Sequence, residues 1–252
     1  MGARAIAAAA ALIVTTGSAH AAEIDAMITT AMKAAVDELA PPFERASGHA
    51  LRITYGPSGG LARRLNAGEA ADLVVVDSKA LDELIKQGKV EPARTDLART
   101  GIGIAVRKGA PKPDVSSPEA LKRALLAAKS IAHTAPAGGG VTAAHVMGVF
   151  EKLGIAVEVT PKVKLAAGGP DGRVSVLVSS GEAEIGLQQV SELMSNPQVE
   201  VIGMLPAELQ QMTTYSAGTT TTARQMEAAQ AFIRHLAAPE AMTIYKAKGL
   251  AL

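Results

Sequence analysis

The chain has 252 residues, of which 48% are hydrophobic, 19% charged and 2% aromatic, and it has no cysteine. This composition excludes a disulfide-stapled scaffold, a collagen-like fibre and a wholly disordered chain. The formal net charge is +1, from 25 Lys and Arg against 24 Asp and Glu, and the two signs are interspersed. Because neutralising phosphates needs clustered Lys and Arg, the sequence predicts no nucleic-acid binding.

Residues 1–21 have the pattern of a secretory signal peptide. Arg4 provides a positive start, residues 5–14 are apolar, and Ala19-His20-Ala21 matches an A-x-A cleavage site. The alternative is a membrane anchor, but this apolar stretch is far shorter than the roughly 20 residues that span a bilayer. We therefore expect cleavage before Ala22 and export of the mature protein to a bacterial periplasm.

After this segment, apolar runs suited to buried strands alternate with segments of helical period. In the first part of the chain, strands are predicted at 24–28, 51–55 and 73–76, each followed by a helix. Pro41-Pro42 is expected to interrupt the first of these helices before Phe43.

The same alternation repeats in the middle of the chain, with predicted strands at 102–106, 131–135, 184–187 and 199–204. Helices are predicted after Ser117-Pro118-Glu119, through Val146 to Leu153, and after Asp171-Gly172-Arg173. A last helix has an apolar face formed by Met226, Ala229, Ile233 and Leu236. We expect this face to cover the first unit, which predicts an α/β protein of two units.

This order predicts two lobes joined by two crossings of the chain. Lobe 1 comprises residues 22–107 plus 212–252, and lobe 2 comprises residues 108–211. Two crossings between lobes are typical of a ligand cleft with a hinge.

The sequence offers little support for catalysis. It has no thiol, no G-x-S-x-G elbow and no H-E-x-x-H motif, and its histidines are scattered. A lone histidine is most simply a surface or core residue, although His145 lies near a glycine-rich turn. We therefore predict that the protein is not an enzyme and has no cofactor or bound metal.

Small and hydroxyl residues recur where a predicted strand leads into a helix. They are Thr29-Thr30, Ser58-Gly59-Gly60, Gly139-Gly140-Val141-Thr142 and Asp171-Gly172-Arg173. Unpaired amides at helix starts favour anions, although the same residue types also serve as ordinary caps and turns. Open α/β sheets bind ligands at the carboxyl ends of their strands, so we expect these segments to form one anion-binding site. The low aromatic content disfavours a sugar or quaternary amine.

A family resemblance is carried by residues 61–73, LARRLNAGEAADL, which match the pattern LAR-x-x-x-AG-x-x-ADL. This segment resembles molybdate-binding-type periplasmic solute receptors of ABC importers. Looser similarity extends through Glu151 to Gly154 and the Asp171-Gly172-Arg173 segment to the C-terminal helix. The resemblance implies a two-lobed type II periplasmic binding protein fold with two hinge crossings.

The resemblance also implies which residues hold the ligand. In that family two serines, backbone amides and a tyrosine bind an oxyanion. Ser58 matches one serine, whereas the other position resembles Ala31, with Thr30 beside it. The amide sites fall near Thr142 and Gly172, and the tyrosine position falls near Gln189.

These departures leave the ligand open between an oxyanion such as molybdate or tungstate and an organic di- or tricarboxylate. Arg173 fits a larger anion if it faces the cleft, but it fits a solvated or salt-bridged residue equally well. We expect a monomeric binding protein that delivers its ligand to an ABC permease in the inner membrane. The alternatives are a secreted sensor that docks to a membrane receptor and a hydrolytic enzyme that uses the same cleft with His145 as base.

Overall fold

The computed structural model describes residues 21–169 and 173–251. The predicted signal peptide, apart from Ala21, and the predicted site residue Gly172 therefore lie outside the described residues. Ten strands are seen, at Glu23–Thr29 (β1), Ala50–Gly56 (β2), Leu73–Asp77 (β3), Thr95–Thr100 (β4), Ile102–Arg107 (β5), Ile131–Thr134 (β6), Val163–Ala166 (β7), Ile185–Gln189 (β8), Val199–Met204 (β9) and Thr213–Thr219 (β10).

The helices of the described residues follow most strands directly, as the alternating pattern predicts. They are Lys33–Ser47 (α1), Ser58–Asn66 (α2), Ser78–Lys86 (α3), Pro118–Ala127 (α4), Val141–Lys152 (α5), Ala156–Val159 (α6), Val174–Ser180 (α7), Val190–Met194 (α8), Met226–Leu236 (α9) and Ala241–Ala247 (α10). Short 3-10 turns lie at Thr30–Met32, Pro136–Gly138 and Thr160–Lys162. Among the described residues, none of the helices has the length and hydropathy needed to cross a bilayer.

The strands form two five-stranded sheets, ordered β2-β1-β3-β10-β4 and β7-β6-β8-β5-β9. In the first sheet β10 runs antiparallel to both neighbours, and in the second sheet β5 does the same. These two strands are the ones that enter each sheet from the other one. The predicted α/β fold of two units with two crossings is confirmed.

The first crossing lies one strand earlier than the predicted boundary at residue 107. Strand β5 was expected in lobe 1, but it pairs with β8 and β9 of the second sheet, so the chain passes between the sheets at Gly101. Residues 102–107 are apolar enough to form a strand of either sheet. Only the strands that pair with them show which sheet they join. The second crossing lies between β9 and β10, which includes residue 212.

Each sheet is buried between helices on both of its faces. Helices α1, α9 and α10 pack on one face of the first sheet, and α2 and α3 pack on the other. The predicted docking of the last amphipathic helix on the first unit is confirmed, since the rings of Phe232 and Phe43 lie 4.9 Å apart. Because helices cover both faces of each sheet, the ends of the strands are left for a ligand-binding site.

The expected interruption of the first helix at Pro41-Pro42 is wrong. Helix α1 continues to Ser47, with both prolines inside it and exposed. Each proline removes a backbone donor, but Leu39 and Phe43 on either side are buried in the core. This burial of apolar surface holds the segment helical.

Candidate functional site

A small cavity lies between the two sheets and is lined by residues of both. The first sheet and its helices provide Thr29, Thr30, Ala31, Pro57, Ser58 and Tyr215. The second sheet and its helices provide Thr134, Gly140, Val141, Thr142, Gly168, Gly169, Gln188, Gln189 and Glu192.

Strand ends place most of these residues. Strands β1, β2, β6 and β8 end at Thr29, Gly56, Thr134 and Gln189, and a helix or 3-10 turn begins within two residues of each. Helices α2 and α5 begin at Ser58 and Val141, so their first amides have no acceptor in the preceding turn. These amides and the helix dipoles favour a negatively charged group in the cavity.

Two polar side-chain atoms of the cavity are buried without a hydrogen-bond partner among the described residues. They are Oγ1 of Thr30 and Oε1 of Gln189. The other end of the Gln189 amide, Nε2, donates to Oγ1 of Thr213 at 3.1 Å. Rotating the amide by half a turn lets the Thr213 hydroxyl donate instead and turns the amino group of Gln189 toward the cavity. Buried polar atoms are normally paired, so these two atoms keep unused hydrogen-bonding capacity in the cavity.

The hydroxyl of Ser58 holds the ends of three strands together. It donates to Oγ1 of Thr29 at 3.2 Å and accepts the backbone N–H of Asp77 at 3.1 Å. Ser58 and Thr29 are both buried. Its single O–H proton is used by Thr29, so Ser58 is part of the structure of the cavity wall.

Glu192 is the acidic residue of the cavity lining. It lies on α8, one turn after the end of β8, and its side chain is partly buried. Burial raises the pKa of Glu192 to about 7, which outweighs the lowering effects of the Arg173 charge and of a hydrogen bond from Gln188. Oε1 of Gln188 accepts the backbone N–H of Val174, which leaves the amino group of Gln188 to donate to Glu192. Glu192 therefore changes its charge near neutral pH.

The two lobes touch at the rim of this cavity. The backbone N–H of Gly59, in the first turn of α2, donates to the carbonyl oxygen of Gly139 at 2.9 Å. A Cβ atom at Gly59 would lie 2.6 Å from that oxygen. Gly139 has a φ of 75°, in the left-handed region that glycine adopts readily. Glycines at both positions therefore permit this close contact between the lobes.

The structure brings six of the ten predicted site residues into the cavity lining, namely Thr29, Thr30, Ser58, Gly140, Thr142 and Gln189. Gly59 lies at the rim, as described above. Gly172 lies outside the described residues. The ligand-binding role of all these residues remains a prediction.

His145 and Arg173 lie outside the lining. Nε2 of His145 donates to the carbonyl oxygen of Leu209 at 2.6 Å. Arg173 donates to Oγ of Ser195 at 2.6 Å and lines an adjoining groove with Lys33 and Lys248. His145 thus joins α5 to the segment after β9, and Arg173 acts on the cavity through its charge near Glu192.

Sequence reasoning missed Thr134, Gln188, Glu192 and Tyr215. Thr134 and Gln188 lie at strand ends, so the pattern that predicted Thr29 also applies to them. Glu192 was missed because the five-residue helix α8 is too short to show a helical period. Tyr215 reaches the cavity from the middle of the first sheet, and no local pattern indicates it.

Asp72, in the segment that carries the family resemblance, has a structural role. Its Oδ2 accepts the backbone N–H of Asp25 at 2.8 Å. Its Oδ1 accepts the backbone N–H groups of Arg224 and Gln225, just before α9, at 2.7 and 2.9 Å. The acid therefore ties the first sheet to the segment that leads into α9.

Comparisons with known proteins point to one protein family. The model of the family "Bacterial extracellular solute-binding protein" matches residues 24–251. An aconitate isomerase of Pseudomonas sp. is 35% identical over 221 residues, which cover 85% of this chain and 82% of that protein. The molybdate-binding protein ModA of Azotobacter vinelandii is 28% identical over 240 residues, covering 93% of this chain and 92% of the relative.

Solved structures show the same fold. The periplasmic molybdate-binding protein of Azotobacter vinelandii has a TM-score of 0.72 and 22% identity, covering 90% of this chain and 98% of that chain. The resemblance to molybdate-binding-type receptors and the type II periplasmic binding protein fold are thereby confirmed. The chain belongs to the family of bacterial extracellular solute-binding proteins.

Proposed function

We propose that this protein captures a small organic polycarboxylate in the cavity between its sheets and delivers it to an ABC permease in the inner membrane. The observation that carries the proposal is the cavity itself. Two helices of eight or more residues begin at it, and two buried polar atoms beside it lack partners among the described residues. Charge-assisted hydrogen bonds of about 1.5–3 kcal/mol each from such donors support micromolar or tighter binding.

The position of Glu192 favours a carboxylate over a tetrahedral oxyanion. Molybdate and sulfate present oxygen atoms in every direction, so in this small cavity one oxygen faces the Glu192 carboxyl group. An organic acid has a carbon chain that can face Glu192 while its carboxylates face the helix starts. Ala31, at the position of a family serine, also removes one hydroxyl donor that the oxyanion receptors use.

The comparisons support the same choice. The relative at 35% identity is named for aconitate, a tricarboxylate, whereas the relative at 28% identity is named for molybdate. Arg173 lines a groove that adjoins the cavity at Thr30, where Lys33 and Lys248 are ion-paired, and its positive charge favours a longer acid that extends into this groove. These features agree with a ligand of two or three carboxylates.

A thermal-shift screen tests the proposal. Purified protein is heated with cis- or trans-aconitate, citrate, tricarballylate, succinate, molybdate, tungstate, sulfate or phosphate. A ligand at 100 times its Kd stabilises the folded state by about 2.7 kcal/mol. We expect stabilisation by tricarboxylates, and stabilisation by oxyanions alone would contradict the proposal.

A pair of variants locates the binding in the cavity. Thr142 is buried at the start of α5 and lines the cavity, whereas Thr222 is exposed and lies outside its lining. Thr142→Val removes one hydroxyl donor with little change of shape, so we expect about tenfold weaker binding by calorimetry. Thr222→Val is the matched control and should bind as the wild type does. Equal affinity of both variants would place the ligand elsewhere.

A further inference from the structure

Glu192 is a titratable group that anion binding alone does not require. Glu192 lines the same cavity as the starts of α2 and α5, which favour negative charge. A permanently ionised carboxylate there would repel an anionic ligand. A group that accepts and releases a proton beside a bound carbon chain has the chemistry of a general acid–base catalyst.

We propose that Glu192 transfers a proton between two carbon atoms of a bound unsaturated polycarboxylate and thereby isomerises it. This inference rests on the proposed function, because it requires a polycarboxylate in the cavity. It departs from the sequence-based prediction that the protein is not an enzyme.

The reaction is a 1,3-proton shift that consumes no other reagent. The ionised Glu192 carboxylate removes a proton from the methylene carbon next to the double bond. The electron pair of that C–H bond forms a new C=C bond to the central carbon, and the original π pair moves onto the outer carbon and its carboxylate. Protonated Glu192 then returns its proton to that outer carbon. The double bond has moved by one position, and its new geometry is cis or trans.

The surroundings of Glu192 suit both halves of this cycle. Burial favours the protonated form, and the Arg173 charge and the Gln188 hydrogen bond favour the ionised form. Tyr215 of β10 also faces Glu192, and burial raises the pKa of its phenol, with Glu192 and Asp77 of β3 contributing, so the phenol stays protonated. Lys33 and Lys248, near Arg173, are paired with Asp37 and Glu38.

The cavity can also stabilise the negative charge that develops during the reaction. In the intermediate this charge spreads onto the carboxylate at the far end of the ligand from the attacked methylene. Ser58, Val141 and Thr142 line the cavity at the starts of α2 and α5, and the dipoles of these helices stabilise such charge.

Proton NMR in heavy water tests this inference. The full mature chain is incubated with cis-aconitate or trans-aconitate, and both isomerisation and the uptake of deuterium at carbon are followed. We expect both for the wild type. Glu192→Gln should lower both rates by at least about 100-fold while calorimetry shows that it still binds tricarboxylates. Glu208→Gln, at an exposed position, is the control and should react as the wild type does.

Three results would overturn the inference. Wild-type protein that binds tricarboxylates without exchanging deuterium would refute it and leave the proposed function intact. Equal exchange by Glu192→Gln and wild type would assign the proton transfer to another group. Absence of any polycarboxylate binding would refute the proposed function as well. A supporting result is a kcat/KM that rises with pH through about 7, since Glu192 must be ionised to remove the proton.

Discussion

Several polar side chains around the cavity are buried in a way that lowers the stability of the folded protein. Thr30 and Gln189 each bury a polar atom without a partner among the described residues, and Glu192 buries a carboxyl group whose pKa is raised to about 7. Buried polar groups of this kind destabilise a fold unless a ligand pairs with them. We therefore expect the cavity residues to contribute more to binding than to folding.

The stability of the protein should fall with rising pH because of Glu192. Its folded pKa of about 7 lies above the ordinary value of 4.5, so the folded state keeps a proton that the unfolded state has released. The stabilisation is complete below about pH 4.5 and is lost as the pH rises through about 7. It amounts to about 3 kcal/mol.

Urea unfolding of wild type and Glu192→Gln between pH 4 and pH 8 measures this effect. The free energy of unfolding of the wild type, relative to that of the variant, should decrease by about 3 kcal/mol over this range. A difference independent of pH would show that Glu192 titrates normally in the folded state.

At the scale of elements, the site depends on helices that begin directly at strand ends. Helix α2 provides Ser58 to the cavity and Gly59 to the contact with the opposite lobe, while α5 provides Thr142. The contact between the α2 start and the loop before α5 closes the rim of the cavity. Closure of this kind couples ligand binding to the distance between the lobes.

Gly59→Ala should weaken ligand binding more than it changes the stability of the free protein. The new Cβ atom would lie 2.6 Å from the Gly139 carbonyl oxygen, so the rim cannot close as it does in the wild type. Alanine also favours the helix, which offsets part of the cost of the lost contact, so the free protein should change less in stability than in affinity. We expect about tenfold weaker binding of the preferred ligand by calorimetry.

Gly148→Ala is the control for this substitution. It lies within α5, and a Cβ atom there meets nothing within 4 Å. This variant should bind as the wild type does. If Gly59→Ala also keeps full affinity, the contact between α2 and Gly139 has no part in ligand capture.

The whole molecule is organised around two adjacent crossings. Gln210, in the segment between β9 and β10, binds both backbone groups of Ile102 at the start of β5. Its Oε1 accepts the N–H of Ile102 and its Nε2 donates to the carbonyl oxygen of Ile102, each at 2.9 Å. One side chain therefore fastens the second crossing to the first.

Loss of this bridge should loosen the hinge. In Gln210→Ala the buried N–H of Ile102 loses its acceptor, which destabilises the region by about 1–3 kcal/mol. We expect faster hydrogen exchange at the Ile102 amide than in the wild type. Glu208→Ala, at an exposed position of the same segment, should leave that exchange rate unchanged. Unaltered exchange in Gln210→Ala would show that the crossings are held together by other contacts.

The sequence by itself determined the class of the fold and the segments that form the cavity wall. Alternation of apolar runs with helical periods predicts α/β units, and small or hydroxyl residues at strand-to-helix steps predict Thr29, Ser58 and Thr142 at one site. These signals are local, because a strand end and the helix start that follows it are adjacent in the chain. The family pattern could likewise be recognised from the sequence, because residues 61–73 are contiguous in the chain.

Only the tertiary structure showed which residues reach the cavity from segments that are far apart in the sequence. Strand β5 joins the second sheet because of its pairing with β8 and β9, and Tyr215 reaches the cavity from a strand nearly 200 residues after β1. His145 looked like a site residue by its place near a glycine-rich turn, yet it hydrogen-bonds to Leu209. The altered pKa of Glu192 likewise arises from burial by parts of the chain that are remote in sequence. Burial, pairing and charge between distant segments depend on packing, which no local pattern encodes.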